Sequence, residues 1–372
     1  MLIEKVETFP LLHKLARPYG DANGYKRYRT CFLIRITTQS GIEGWGECID
    51  WLPMLEKGFQ ERMIPYLIGK NATNRTYIVN HIKKWNRRAA ACVSMALTEI
   101  IAKHANLSIC DLWGGKWHEI IPVYASFQSY TEDDNWIQNS LQLIEKTVLN
   151  GYSTIKVKVG GKTLQEDQAH LAAIQQTLNE NIKIALDANQ SYDASTAYRL
   201  EKLFANWTNI LWFEEPIPLK HAAEYKLLRS KLSVPVAGGE NLQGADQFLP
   251  FLQAGAMDII QPDIMHEGGI DEYRNTLQLA RLYGIRVSPH TYDGALARLY
   301  TLFSQACLPP WSKMKGDDIE PVEWDVMENP FISLLHLSLQ KGKVAVPDEI
   351  GIGVELDEEI IKKYRWDGFG YT

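Results

Sequence analysis

The first fifty residues carry their apolar side chains in strand-like alternation. Val6, Thr8 and Phe9 lead into a polar, glycine-containing stretch, RPYGDANGYKRYR, and then into CFLIRITTQSGIEGWGEC. The Ser40-Gly41 pair between two β-rich runs marks a hairpin. From about 56 to 113 the pattern turns helical: AAACVSMALTEIIAKHA is rich in helix formers, and the segment stops near Trp113-Gly114-Gly115. Strands followed by helices describe an α+β unit.

Near Ile121 the texture changes to apolar strands alternating with amphipathic segments. After IKIALD, Asp193 is placed to cap a helix whose apolar stripe is Ala197, Leu200, Leu203 and Phe204. The next run, ILWFEE, is continuously apolar, as expected of parallel strands covered on both faces. Repeated from about 121 to 325, the alternation predicts seven or eight strands, and a (β/α) barrel is the natural closed solution. The tail GKVAVPDEIGIGVELDEEIIKKY reads as strand then helix and is expected to return to the N-terminal unit. The expected division is a capping domain over 1–118, a barrel over 119–335 and a returning segment over 336–372.

Composition narrows the class. At 45% apolar and 23% charged the 372 residues are ordinary globular protein, and a net charge of −6 with interspersed signs points to neither nucleic acid nor anionic membrane. No run approaches the ~18 apolar residues of a membrane span, and MLIEKVETFPLLHK does not read as a signal peptide. The five cysteines are scattered without a Cys-x-x-Cys pair, so buried reduced thiols in a cytoplasmic protein are expected.

The candidate chemistry lies at the ends of the apolar runs. Lys156 and Lys158, Asp187, Glu214, Glu240, Asp263 and His290 close TIKVKVGG, IKIALDANQ, ILWFEEP, VPVAGGEN, MDIIQPD and IRVSPH in turn, at intervals of 23 to 29 residues. Residues closing successive parallel strands converge on one face of a barrel. Asp187, Glu214 and Glu240 offer the oxygen-only donors that a hard divalent cation prefers, which points to magnesium rather than zinc. Glu215 competes with Glu214, but adjacent strand residues point to opposite sides. Any one of these acids alone would pass for a helix cap. Lys156 and Lys158 share a strand face, and a neighbouring ammonium and cation would push a lysine's pKa down toward that of a general base. Asp263 is placed to accept the His290 N–H. Glu323, with Glu320 and Asp325 as alternatives, would close the eighth strand and donate to an oxyanion if protonated.

These motifs together (Lys156-x-Lys158, Asp187-Ala-Asn189, Glu214-Glu215-Pro216, Gly239-Glu240-Asn241 and the Asp263/His290 pair) resemble the enolase superfamily, mandelate racemase subgroup, nearly end to end. The resemblance implies a (β/α)7β barrel with an α+β capping domain, Mg2+ on Asp187, Glu214 and Glu240, and bases on opposite faces of the substrate. Muconate-lactonising relatives place a lysine on the sixth strand, whereas MDIIQPDIMHEGG has none. The His–Asp pair therefore favours acid-sugar dehydratases. The expected reaction is abstraction of the proton α to a carboxylate through an enediolate, with Lys156 assisting, followed by dehydration to a 2-keto-3-deoxy acid. Racemisation of a 2-hydroxy acid and non-catalytic sugar-acid binding are the alternatives. The partner is a small carboxylate, most naturally a sugar acid, and a symmetric homo-oligomer follows by analogy. Specificity is expected from cap loops: Arg17, Tyr19 and Asn23 in one, Asp50 and Trp51 in another, with Arg17 set to pair a distal carboxylate. A solvated hairpin serves equally well for each. Asn189 and Asn241 are further substrate candidates, and His266 is more naturally structural.

Overall fold

The computed structural model describes residues 1–371. Three antiparallel strands open the chain: β1 (Ile3–Asp21), β2 (Gly24–Thr38) and β3 (Glu43–Cys48). The polar stretch expected to loop is strand almost throughout. β1 and β2 form one long ribbon turning at Ala22-Asn23, with a register shift between Lys14 and Tyr19. Its tip pairs with β5 (Tyr130–Thr131), which ties the cap to the second domain. Helix Arg87–Ala105 starts on an Asn86 cap, whose side chain accepts from Ala89 N, and packs against β3. A Cβ at Gly44 would stand 2.1 Å from Ala96 O, so glycine permits that approach.

The second domain is a (β/α)7β barrel. Its parallel strands are β4 (Ile120–Ser126), β6 (Thr154–Lys158), β7 (Lys183–Asp187), β8 (Ile210–Glu214), β9 (Val236–Gly238), β10 (Ile259–Ile260), β11 (Arg286–Val287) and β12 (Val322–Asp325), each neighbouring the next from β6 to β11. β4 pairs with both β6 and β12. Between β11 and β12, side chains make the seam: Ser288 Oγ donates to Pro321 O at 2.6 Å, and Gln305 Nε2 to Val287 O and Glu320 O at 3.0 Å each. Tyr124, Ala185, Trp212, Ala237 and Ile259 form a separate buried apolar cluster from five of these strands, a plug inside the barrel. The larger apolar core joins strands to the outer helices.

Asp193 caps its helix by accepting from Thr196 N, but that helix ends at Glu201, so Leu203 is largely exposed while Phe204 is buried. In the tail, β13 (Leu339–Gln340) and β14 (Lys343–Ala345) form a hairpin that pairs antiparallel with β4 of the barrel. The tail meets the cap at Gly351, whose N donates to Leu107 O at 2.9 Å and whose O accepts from Ile109 N at 3.0 Å, and again beyond helix Glu358–Lys363, where Leu12 N donates to Tyr364 O and Trp366 N to Pro10 O, both at 2.9 Å. All five cysteines are free, four buried and Cys307 partly exposed. Among the described residues no helix is long and apolar enough to cross a membrane.

Candidate active site

Lys158, Asp187 and Glu214 are the last residues of β6, β7 and β8, in register side by side. Glu240 follows β9 by two residues. Parallel register therefore brings Asp187, Glu214 and Glu240 together, with one oxygen of each within 4.8 Å of the others. Glu214 Oε2 accepts from Trp212 Nε1 at 2.9 Å and Gln261 Nε2 at 2.7 Å, and Oε1 from Lys156 Nζ at 3.0 Å. Asp187 Oδ1 accepts from Asn189 N at 3.0 Å. Glu215 turns away: its φ is +38°, and it accepts from Gln190 Nε2 and Gly239 N.

The electrostatics follow from crowding charge out of water. Burial, and then the Asp187 carboxylate, push Glu214 up to about 7. Burial would also raise Asp187, but the Lys158 and Lys156 ammoniums override it and hold Asp187 below the usual range. Burial should conversely lower Lys158; the Asp187 carboxylate, 2.5 Å from its Nζ, raises it instead. Among the protein's own charges the Asp187 carboxylate thus outweighs the fellow ammonium of Lys156.

His290 stands just beyond β11. Its Nδ1 donates to Asp263 Oδ2 at 2.6 Å, which leaves Nε2 facing Glu240 Oε2 at 3.2 Å and Glu323 Oε2 at 3.4 Å. Burial opposes the imidazolium, but Glu323, Glu240 and Asp263 raise it to about 10. Glu323 lies inside β12 and not at its end. Burial would raise its pKa, yet Lys156, with Nζ 2.8 Å from Oε1, holds it down at about 2. Glu323 Oε2 also accepts from Thr291 N at 3.0 Å.

A cavity of about 310 Å³ opens over this floor, lined by Lys158, Asn189, Glu240 and His290 below and by the ribbon tip and Tyr292-Asp293 above. Lys156 is fully buried beneath it and does not line it. Of the cap candidates only Asn23 reaches the cavity. Arg17 instead lines a separate surface cavity with Glu132 and Lys146, because the β1 register shift turns it outward. Tyr19 is buried, its hydroxyl donating to Glu328 O and accepting from Arg29 Nε. Asp50 and Trp51 line an outer chamber of about 720 Å³ that shares Tyr25, Lys26 and Asp293 with the inner cavity. Asn241 donates to Glu240 Oε1 from an exposed position outside the cavity, and His266 is braced between Glu240 O and Arg88. Gln128, Lys26, Tyr292 and Asp293 line the cavity and escaped the sequence reading. Gln128 had a usable signal, since it lies two residues beyond the end of β4.

A sequence profile described as Enolase C-terminal domain-like matches residues 140–360, and one for the Mandelate racemase / muconate lactonizing enzyme, N-terminal domain matches 5–114. D-galactarolactone cycloisomerase of Agrobacterium fabrum is 30% identical over 380 aligned positions, spanning 98% of this chain and 99% of that protein. Arabinonate dehydratase of Saccharolobus solfataricus is 28% identical, spanning 98% and 99%. The crystal structure of the 3,6-anhydro-D-galactonate cycloisomerase from Zobellia galactanivorans superposes with a TM-score of 0.86 at 25% identity, over 99% of this chain and 100% of that one.

Proposed function

The chain belongs to the mandelate racemase/muconate lactonizing enzyme family of the enolase superfamily, and on that premise we propose that it removes the proton α to a sugar-acid carboxylate and eliminates the oxygen on the next carbon. The observation that carries this reading is the pairing of Lys158 and His290 across one cavity floored by clustered carboxylates.

Asp187, Glu214 and Glu240 fit a hard divalent cation. They are oxygen donors only, their oxygens lie within 4.8 Å of one another, and the raised pKa of Glu214 reflects first its burial and then the Asp187 charge beside it. Mg2+ held there would supply the positive charge that offsets the second negative charge developing on the substrate carboxylate. Lys158, relieved of Asp187's full charge, takes the α-proton. The released electron pair forms the Cα–Cβ double bond, and the β C–O bond breaks. His290, oriented through Nδ1 by Asp263, protonates the departing oxygen from Nε2. Lys156 pins Glu214 and Glu323 from below, so the carboxylates do not reorganise as charge moves. The enol product then becomes a 2-keto-3-deoxy acid.

The upper walls favour a polyhydroxy substrate. Gln128 and Asn189 both line the cavity, are at most 9% exposed, and present oxygens that no described residue partners. Buried acceptors of that kind suit substrate hydroxyls.

A free β-hydroxyl makes the reaction a dehydration. A β-oxygen inside a lactone or anhydro ring makes it a ring opening with no atoms lost, a cycloisomerisation, and the similarity to D-galactarolactone cycloisomerase favours this second reading. Purified protein with Mg2+ should be offered mono- and diacid sugars and their lactones. The expected result is 2-keto acid from at least one of them. Deuterium exchange at Cα without keto acid would overturn elimination in favour of racemisation. Binding with neither exchange nor turnover would mean a sugar-acid binder.

A further inference from the structure

The cavity has two ends. A substrate carboxylate drawn to the floor by a cation on Asp187, Glu214 and Glu240 would leave the far end of a six-carbon acid under the cap ribbon. There the lining is Asp21, Asn23, Gly24, Tyr25 and Lys26, with Tyr292 and Asp293 beside them. Among the described residues, the cations lining the cavity are Lys158 and His290 at the floor and Lys26 at the cap end.

Lys26 is held where a ligand could take it over. Its ammonium lies 4.5 Å from the centroid of the Tyr292 ring and 3.2 Å from Asp293 Oδ2, and its side chain remains 36% exposed. Asp293 has a second partner besides Lys26, although Lys26 is the stronger of the two in holding its charge. Arg29, with a 2% exposed side chain, is paired to the other Asp293 oxygen and is itself fixed by Asp325 Oδ2 at 2.9 Å, Tyr292 OH at 3.0 Å and Tyr19 OH at 2.7 Å. The Lys26 side chain is exposed enough to turn from Asp293 toward a second carboxylate. Arg29 keeps Asp293 compensated afterwards. Of the two acids at the lip, Asp293 is neutralised in this way, while Asp21 is occupied in the turn, accepting from Asn23 N at 2.7 Å.

We propose that Lys26 reads the far end of the substrate, and that the preferred substrates are aldaric acids, with a carboxylate at each end, over aldonic acids. This rests on the sugar-acid reading above. It moves the distal-carboxylate role from Arg17, which faces another cavity, to a residue that faces this one.

The test compares galactarate with galactonate, and glucarate with gluconate, for α-deuterium exchange and keto-acid formation by wild type, Lys26→Met and Lys26→Arg. Wild type should prefer an aldarate. Lys26→Met should lower the aldarate-to-aldonate ratio of kcat/KM by about 10- to 100-fold, the range of a charge-assisted hydrogen bond. Most of the loss should fall in KM, because the contact is made equally in ground and transition states, and Lys26→Arg should restore part of it. A wild type that favours aldonates, or a Lys26→Met variant with an unchanged ratio, overturns the inference and leaves elimination standing. If wild type neither exchanges nor converts any of the four acids or their lactones, elimination falls instead. Calorimetric titration with galactarate and Mg2+ then decides Lys26: equal affinity in wild type and Lys26→Met overturns its role.

Discussion

Glu47 offers a test of how the cap and barrel are locked, because its carboxylate crosses between them. From β3 in the cap it reaches the N-terminus of barrel helix Ala295–Ala306. Oε1 accepts from Ala295 N at 3.1 Å, and Oε2 from Leu296 N at 2.7 Å and Ala297 N at 3.1 Å. Cys31 Sγ donates to Oε1 at 3.1 Å. Glu47→Ala strands three buried amides, each costing about 1–3 kcal/mol, and removes an anion from the positive end of a helix dipole, worth up to about 2 kcal/mol. Against this, burial raises the pKa of Glu47, so part of the loss is offset by no longer desolvating a carboxylate. The net is about 3–5 kcal/mol, the range for breaking a buried charged contact. Glu47→Gln should fall between, since its amide keeps one acceptor but turns an NH2 toward amide donors. Tryptophan fluorescence in urea is the assay. At a slope of about 3 kcal/mol/M, the Glu47→Ala midpoint should drop by about 1–2 M. A drop under about 0.3 M, matching an exposed control such as Glu359→Ala, would refute the clamp. Tyr292, Asp293 and Gly294 run directly into this helix. Glu47→Ala should therefore also raise KM at temperatures where the protein is still folded.

Lys158→Ala should abolish both α-proton exchange and turnover. His290→Asn should lose turnover by about 10²–10⁴-fold while keeping exchange, measured by proton NMR in deuterium oxide; equal loss of both would contradict the division into base and acid. Mg2+ should stabilise metal-stripped protein by about 2.7 kcal/mol at a hundredfold excess over Kd, read as a higher melting temperature. Glu240→Gln should blunt that gain, and an undiminished shift would place the cation elsewhere. Burial lowers His170 from 6.5 to about 4, so the unfolded chain takes up a proton there before the folded one does. The stability it contributes is present above pH 6.5 and lost as pH falls toward 4, by at most about 3 kcal/mol. His170→Gln should flatten the acid limb of melting temperature against pH, and an unaltered limb would show that the histidine titrates normally.

How far the sequence reaches depends on the range of the interaction that places each residue. The barrel was legible because continuous apolar runs at β/α spacing are local signals. Lys158, Asp187 and Glu214 closing β6, β7 and β8 then follow from parallel register alone. The Asp263–His290 pair was legible for the same reason, as the two close neighbouring strands. Charge state was not legible. Whether Lys158 is lowered or raised depends on which charge weighs most in space, and among the protein's own groups the Asp187 carboxylate outweighs the Lys156 ammonium.

The cap resisted for a further reason. RPYGDANGYKRYR is polar and rich in turn formers, so local propensity assigns a loop, yet pairing with β5 and with its own return strand makes it a ribbon. On a ribbon, a register shift decides which side chains face inward. The shift between Lys14 and Tyr19 sends Arg17 away from the mouth, and the return strand delivers Lys26 to it. Arg17 and Lys26 are both cations in the same polar stretch, and nothing local separates them. What separates them is Asp293, 267 residues along the chain from Lys26, fixed in turn by Arg29. A specificity residue chosen by such a contact belongs to the assembled mouth and not to any motif. Relatives sharing the floor can therefore differ in substrate through cap residues that a motif comparison passes over.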